Sequence, residues 1–122
     1  DVEGKDVIVI DDMISSGDSC FDVAKELKKR KAGRIFICAT FGLFTNGLKK
    51  FDEAYESGLI YRVITTNLIY QTDELLSKPY YISADMSKYI ALLIDTLNHD
   101  RSISDLLDPT ERIRNIISKY KK

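Results

Sequence analysis

Short apolar runs alternate with amphipathic stretches through the first part of the chain, and this alternation constrains the fold more than any other feature. Two apolar runs, at residues 7–10 and 35–39, have the length of β-strands, and a third strand is predicted at residues 61–65. Residues 20–27 and 48–55 carry apolar side chains three and four positions apart, as amphipathic helices do, and Gly33 and Gly58 follow them as stop signals. Elements in this order are joined by right-handed crossovers. The sequence therefore predicts an α/β fold, a parallel sheet with flanking helices.

The first two predicted strands are apolar at every position, a pattern typical of strands that are covered on both faces. We therefore expect the strand at residues 7–10 to be fully buried and the strand at residues 35–39 to lie in the centre of the sheet. In sheets of this kind, ligands bind beyond the carboxyl ends of the strands.

A short strand at residues 80–82 and two helices are predicted for the later part of the chain. Ser83 is expected to cap the first of these helices. Its apolar stripe is interpreted as core and consists of Met86, Tyr89, Ile90, Leu93 and Leu97. The second helix is expected to start at Asp108, a capping residue, with Pro109 in the first helical position.

The composition limits the partners of the chain. With 122 residues it has the length of one domain, and a net charge of −1 gives no overall attraction for nucleic acid or for an anionic membrane. The basic run at residues 28–31 is interpreted as a solvated helix face. No apolar run spans a bilayer and no signal-peptide pattern opens the chain, so we expect a soluble, cytoplasmic protein. Because a buried-type strand follows the first residues directly, we also expect a fragment of a longer protein.

The two cysteines, Cys20 and Cys38, are predicted to be reduced, buried thiols, because no partner residues suggest a disulfide framework or a metal site. For Cys20, which falls in the first turn of a predicted helix, the alternative is a reactive thiol activated by the helix N-terminus.

Residues 11–19, with the sequence DDMISSGDS, separate the first predicted strand from the first helix. A helix N-terminus presents backbone N–H groups to an anion. The loop adds polar groups of three kinds: acceptors for sugar hydroxyls or a hydrated metal ion (Asp11, Asp12), hydroxyl donors (Ser15, Ser16, Ser19) and a glycine that permits close approach (Gly17). The Asp18 carboxylate would repel a bound phosphate and is expected to point to solvent. The alternative is an ordinary strand-to-helix turn, in which serine and aspartate only cap the helix.

This segment resembles the phosphoribosyl-pyrophosphate-binding motif of the type I phosphoribosyltransferase fold. There, two acidic residues end a strand and a Thr-Gly-any-Thr loop opens a helix; residues 16–19 are Ser-Gly-Asp-Ser. Further segments make the chain similar to the C-terminal part of the ribose-phosphate pyrophosphokinase family, at residues 2–5, 39–44, 95–98 and 102–104. The resemblance implies a phosphoribosyltransferase-like (Rossmann-like) domain over residues 1–107, truncated at its N-terminus, and a helical extension over residues 108–122.

The resemblance also implies an activity. Members of the family transfer the pyrophosphoryl group of ATP to the 1-hydroxyl of ribose 5-phosphate, with Mg²⁺, and form phosphoribosyl pyrophosphate and AMP for nucleotide biosynthesis. Asp11 and Asp12 match the residues that contact the ribose hydroxyls, and Ser15, Ser16, Gly17, Asp18 and Ser19 match the loop that holds the 5-phosphate. No catalytic residue or metal ligand is assigned in this chain. ATP would be bound by the missing N-terminal part or by a neighbouring subunit of a homo-oligomer, so we expect the chain alone to be inactive.

Three positions depart from the family pattern and leave alternatives open. Ser15 stands where many members have aspartate, Asp18 adds a charge beside the expected phosphate, and Phe41 stands where many have histidine. Phe41 and Phe44 are expected either to line a nucleotide pocket or to pack in the core or a subunit interface. A non-catalytic regulatory relative of the synthetase and a nucleobase phosphoribosyltransferase are the alternative functions.

Overall fold

The computed structural model describes residues 1–99, 102 and 104–120, the side chains of residues 105 and 106 excepted. The chain divides into two compact units, Asp1–Met86 and Ser87–Lys122. The elements of the first unit are β1 (Val7–Ile14), α1 (Asp18–Lys29), β2 (Ile35–Gly42), α2 (Lys49–Glu56), β3 (Arg62–Thr66), α3 (Asp73–Ser77) and β4 (Tyr81–Ala84). Those of the second are α4 (Ser87–Asn98), α5 (Ser104–Leu107) and α6 (Thr110–Tyr120).

The first unit is built on a four-stranded parallel sheet whose strand order follows the chain, β1-β2-β3-β4. The prediction of an α/β fold with a parallel sheet is confirmed, and β2 is an interior strand as expected. β1 and β2 extend beyond their predicted ends because Asp11 pairs with Ala39 and Ile14 with Gly42. Asp11 and Asp12 therefore lie within the last part of β1 instead of following it.

One face of the sheet carries the core. Ile35, Ile37 and Val63 are fully buried there, together with apolar side chains of α1 and α2. The predicted stripe of α2 is thus confirmed and that of α1 only in part, because Cys20 and Ala24 are buried but Val23 is 45% exposed. Phe51 of α2 is 0% exposed, and its ring centroid lies 4.8 Å from that of Phe21 in α1 and 5.1 Å from that of Phe44 after β2.

The first unit leaves the opposite face of the sheet, here called the open face, without a covering helix, and the prediction that β1 is fully buried is wrong. Ile8 and Ile10 are 62% and 80% exposed. In a parallel sheet whose order follows the chain, right-handed crossovers place every connecting helix on the same face. Because α1, α2 and α3 are such connections, they all cover the same face of the sheet. The apolar pattern of β1 would suit burial of both faces, but the first unit covers only one.

The predictions for the end of the first unit are only partly confirmed. The strand near residues 80–82 is present as β4, but Ser83 does not cap a helix, since it pairs with Thr65 inside the sheet. The short helix α3 was not predicted; Thr72 caps it by accepting a hydrogen bond from the Leu75 N–H at 3.1 Å.

In the second unit, both predicted helices are present, and α4 begins at Ser87. Its apolar stripe is not core, because α4 has no buried residue and Leu97 is 54% exposed. The predicted cap at Asp108 is confirmed: its carboxylate accepts hydrogen bonds from the Thr110 N–H at 3.0 Å and hydroxyl at 2.6 Å. Among the described residues, every helix is too short or too polar to cross a lipid bilayer.

The two faces of the sheet predict different costs for the same substitution. Ile37→Ala removes a 0% exposed side chain from the packed face, and we expect it to lower the free energy of unfolding by about 2–5 kcal/mol. Ile10→Ala, on the open face, is the matched control and should cost much less. Urea denaturation followed by circular dichroism measures both. Equal losses would contradict the assignment of the faces.

Candidate functional site

The loop between β1 and α1 is fixed to the segment that follows β2. The Leu43 N–H donates to the Ile14 carbonyl at 2.8 Å, and the Thr45 N–H donates to the Ser15 carbonyl at 3.0 Å. The hydroxyls of Ser15 and Thr45 lie 3.3 Å apart. These contacts hold the loop at the carboxyl edge of the sheet, and sequence reasoning missed Thr45 because it lies 30 residues further along the chain.

Gly17 occupies the centre of the loop and is buried. Its φ is +88°, in the left-handed region that favours glycine. A Cβ at this position would lie 2.5 Å from Cζ of Phe51 and 3.0 Å from Cε2 of Phe21. The loop therefore rests directly on the aromatic core, and only glycine fits there without displacing it.

The N-terminus of α1 has no side-chain cap. Gly17 is the N-cap residue, and the first intrahelical bond is donated by the Phe21 N–H to the Gly17 carbonyl at 2.9 Å. The N–H groups of residues 18–20 consequently lack an intrahelical acceptor. The backbone N–H of Asp18 makes only a long contact, 3.4 Å to Oγ of Ser16. The loop serines do not cap α1 in the usual way, and the positive end of the helix is open to an anion.

These groups surround a small pocket of about 80 Å³. Since a water molecule takes about 30 Å³ in the liquid, the pocket suits a small anion and not a whole nucleotide. Its lining consists of Asp11, Met13, Ile14, Ser15, Ser16, Gly17, Asp18, Ser19 and Cys20. The structure thus brings together every predicted site residue except Asp12, which is exposed outside this lining.

Asp11 is the carboxylate best placed beside the pocket. Interactions with Asp12, first with its side chain and then with its backbone, lower the pKa of Asp11 below its usual range, and the Asp12 N–H donates to Oδ1 of Asp11 at 2.8 Å. It is therefore a charged acceptor at neutral pH. Asp11 also lines a shallow hollow of about 270 Å³ on the open face of the sheet, where Thr40 and Thr66 lie. Asp11 therefore lies at the border between the small polar pocket and this larger hollow.

Asp18 is exposed, but it is paired with a cation. Nζ of Lys50, in α2, lies 3.0 Å from Oδ1 of Asp18, and this hydrogen bond lowers the pKa of the Asp18 carboxyl. Sequence reasoning missed Lys50, because the partners are 32 residues apart and meet only through the fold.

Both cysteines are free thiols in the structure. Cys20 is buried; burial, and then the charge of Asp11, raise the pKa of its thiol. The thiol therefore stays protonated, which argues against an activated nucleophile. Cys38 is half-buried, and burial raises its pKa as well.

The two phenylalanines after β2 differ in their surroundings. Phe44 packs edge-on against Phe51 and Tyr81, with ring centroids 5.1 and 6.1 Å apart, so it belongs to the core. Phe41 is 38% exposed.

Comparison with known proteins assigns this chain to a family. A family model described as "Phosphoribosyl synthetase-associated domain" matches residues 1–108. Ribose-phosphate pyrophosphokinase of Shewanella oneidensis is 33% identical over 104 residues, which are 85% of this chain and 32% of that protein. The enzyme of the same name from Vibrio parahaemolyticus is 29% identical over 108 residues, 88% of this chain and 33% of that protein.

A solved structure shows the same fold. The crystal structure of phosphoribosylpyrophosphate synthetase from Mycobacterium smegmatis is similar with a TM-score of 0.70 and 27% sequence identity, over 82% of this chain and 32% of that chain. The chain spans about a third of the length of the curated relatives it matches.

Because Gly17 packs against the aromatic core, replacing Gly17 by alanine should cost more stability than replacing Gly58. Gly58 also has a positive φ, +78°, but a Cβ there would meet nothing within 4 Å. Both Gly17→Ala and Gly58→Ala carry the left-handed backbone penalty, whereas only Gly17→Ala forces Phe51 to move. We expect Gly17→Ala to be less stable than Gly58→Ala by about 1–3 kcal/mol in urea denaturation. Equal stability would show that the loop does not rest on Phe51.

Proposed function

The chain belongs to the phosphoribosyl synthetase-associated domain family, and from this premise we propose that it forms the ribose 5-phosphate-binding part of a ribose-phosphate pyrophosphokinase. The full-length enzyme would transfer the pyrophosphoryl group of ATP to the 1-hydroxyl of ribose 5-phosphate, giving phosphoribosyl pyrophosphate and AMP.

The observation that carries this proposal is the open N-terminus of α1. The N–H groups of residues 18–20 have no intrahelical acceptor and lie beside a pocket of about 80 Å³. A phosphate dianion there gains hydrogen bonds and the favourable field of the helix dipole. The hydroxyls of Ser15, Ser16 and Ser19 supply further neutral donors. In the proposal, this pocket receives the 5-phosphate.

The ribose ring would lie beside the phosphate, toward the acidic pair. Asp11 borders both the phosphate pocket and the hollow on the open sheet face. Its carboxylate accepts hydrogen bonds from ribose hydroxyls, and Asp12, the next residue, offers a second, fully exposed acceptor. The acceptor 1-hydroxyl then faces away from the loop, toward the part of the full-length protein that brings ATP.

The chain supplies few of the groups that phosphoryl transfer requires. Such transfer depends on positioning and on positive charge around the transferring group. No cationic side chain lines the phosphate pocket, and within the described part of the chain no three potential metal-ligating side chains cluster. Mg²⁺ commonly takes one or two carboxylates together with substrate oxygens and water, so Asp11 and Asp12 suit a shared ion and not a complete site. We therefore infer that the chain alone is inactive, and that ATP and the remaining charges come from further sequence or a neighbouring subunit of a homo-oligomer.

We expect ribose 5-phosphate to stabilise the 122-residue chain more than ribose or inorganic phosphate does. A ligand that binds only the folded state raises its stability by about 2.7 kcal/mol at a hundred times its Kd. Thermal unfolding with ribose 5-phosphate, with ribose and with inorganic phosphate separates the contribution of the sugar-binding residues from that of the phosphate pocket. We expect the largest shift for the sugar phosphate and a smaller one for phosphate alone. No shift at millimolar ribose 5-phosphate would contradict the proposal.

Removing the charge of Asp11 should weaken binding without unfolding the chain. Hydrogen bonds to charged groups contribute about 1.5–3 kcal/mol, so Asp11→Asn should raise the Kd for ribose 5-phosphate about tenfold or more. Asp73→Asn, an exposed aspartate in α3, is the control and should leave the Kd unchanged. Calorimetric titration gives the Kd, and circular dichroism checks the fold. Loss of cooperative unfolding in Asp11→Asn would show that this residue is structural.

A further inference from the structure

We propose that Lys50 is a positioning residue for the phosphate pocket, which holds the Asp18 carboxylate and cancels its charge. The inference rests on the proposed function, because it concerns the affinity of the same pocket for ribose 5-phosphate. It assigns a binding role to a residue that neither lines the pocket nor belongs to the loop.

Asp18 poses an electrostatic problem for an anion site. It is the first residue of α1 and lines the pocket between Gly17 and Ser19. At a separation of about 7 Å in water, an unpaired carboxylate would weaken the binding of a phosphate dianion about fivefold to tenfold. The donors of the loop are neutral hydroxyls and N–H groups, so no loop residue offsets this charge.

Lys50 is placed to solve this problem from outside the loop. Its Nζ donates to Oδ1 of Asp18 at 3.0 Å, and it is absent from the pocket lining. The adjacent residue, Phe51, is 0% exposed and lies under Gly17, so α2 is fixed relative to the loop. The two ion-pair partners also line an open groove of about 670 Å³ between α1 and α2. The carboxylate is therefore drawn toward α2.

The pair has little to contribute to stability. The side chains of Lys50 and Asp18 are 58% and 61% exposed, and exposed ion pairs have small effects on folding. Its consequence is local: the pair adds no net charge beside the helix N-terminus, whereas an unpaired Asp18 would add a charge of −1. A role in binding and a role in folding can therefore be separated by experiment.

A double-mutant cycle on the 122-residue chain tests the proposal, with the Kd for ribose 5-phosphate measured by calorimetry. Lys50→Met should raise the Kd about fivefold to tenfold, since it frees the Asp18 charge. Asp18→Asn should bind at least as well as the unchanged chain, and Asp18→Asn with Lys50→Met should bind as Asp18→Asn does. Lys50→Arg, which keeps the charge, should retain the original Kd, as should Lys49→Met, the exposed neighbour in α2.

Three results would overturn the proposal. An unchanged Kd in Lys50→Met would show that the pair has no effect on the pocket. A double variant as weak as Lys50→Met would show that Lys50 attracts the phosphate directly and not through Asp18. Binding that is undetectable even in the unchanged chain would refute the proposed function together with this inference, whereas normal binding with no coupling refutes the inference alone. Unfolding curves of all variants should coincide, because the pair is exposed.

Discussion

The contact between Gly17 and Phe51 determines the geometry of the whole site. A Cβ at Gly17 would lie 2.5 Å from the Phe51 ring, so the loop can descend onto the aromatic core only with glycine at this point. The chain turns from Gly17 directly into α1, and the N-terminus of α1 points at the loop pocket. The same contact fixes α2, which carries Lys50 to Asp18. Packing and electrostatics at the site therefore have a common origin.

The proposed site would attract an anion mainly through dipoles and neutral donors. Backbone N–H groups at the start of α1 have no intrahelical acceptor, and no side chain caps them. A pocket of this kind is suited to bind and orient a phosphate, whereas transferring a pyrophosphoryl group needs concentrated positive charge. The division agrees with a chain that spans about a third of the length of its curated relatives. In our proposal, this segment binds the sugar phosphate, and the charge for the chemistry comes from the rest of the enzyme.

Local pattern predicted the order of elements in the first unit, because apolar periodicity and stop signals such as Gly58 act within a few residues. It also predicted the loop residues that line the pocket. It could not predict which face of β1 is covered, since that depends on where the connecting helices lie, and Ile10 is exposed. Nor could it show that Ser83 pairs with Thr65, or that Asp18 meets Lys50 from 32 residues away. Those facts follow from the tertiary arrangement alone.

Backbone amide chemical shifts report whether an anion binds the open N-terminus of α1, as we propose. Ribose 5-phosphate added to the ¹⁵N-labelled chain should shift the amide signals of residues 16–20 most strongly, together with that of Asp11. Residues on the outer groove between α1 and α2, such as Ser57 and Leu59, should be unaffected. Shifts confined to that groove, or none in the loop at saturating ligand, would show that the anion does not bind the N-terminus of α1.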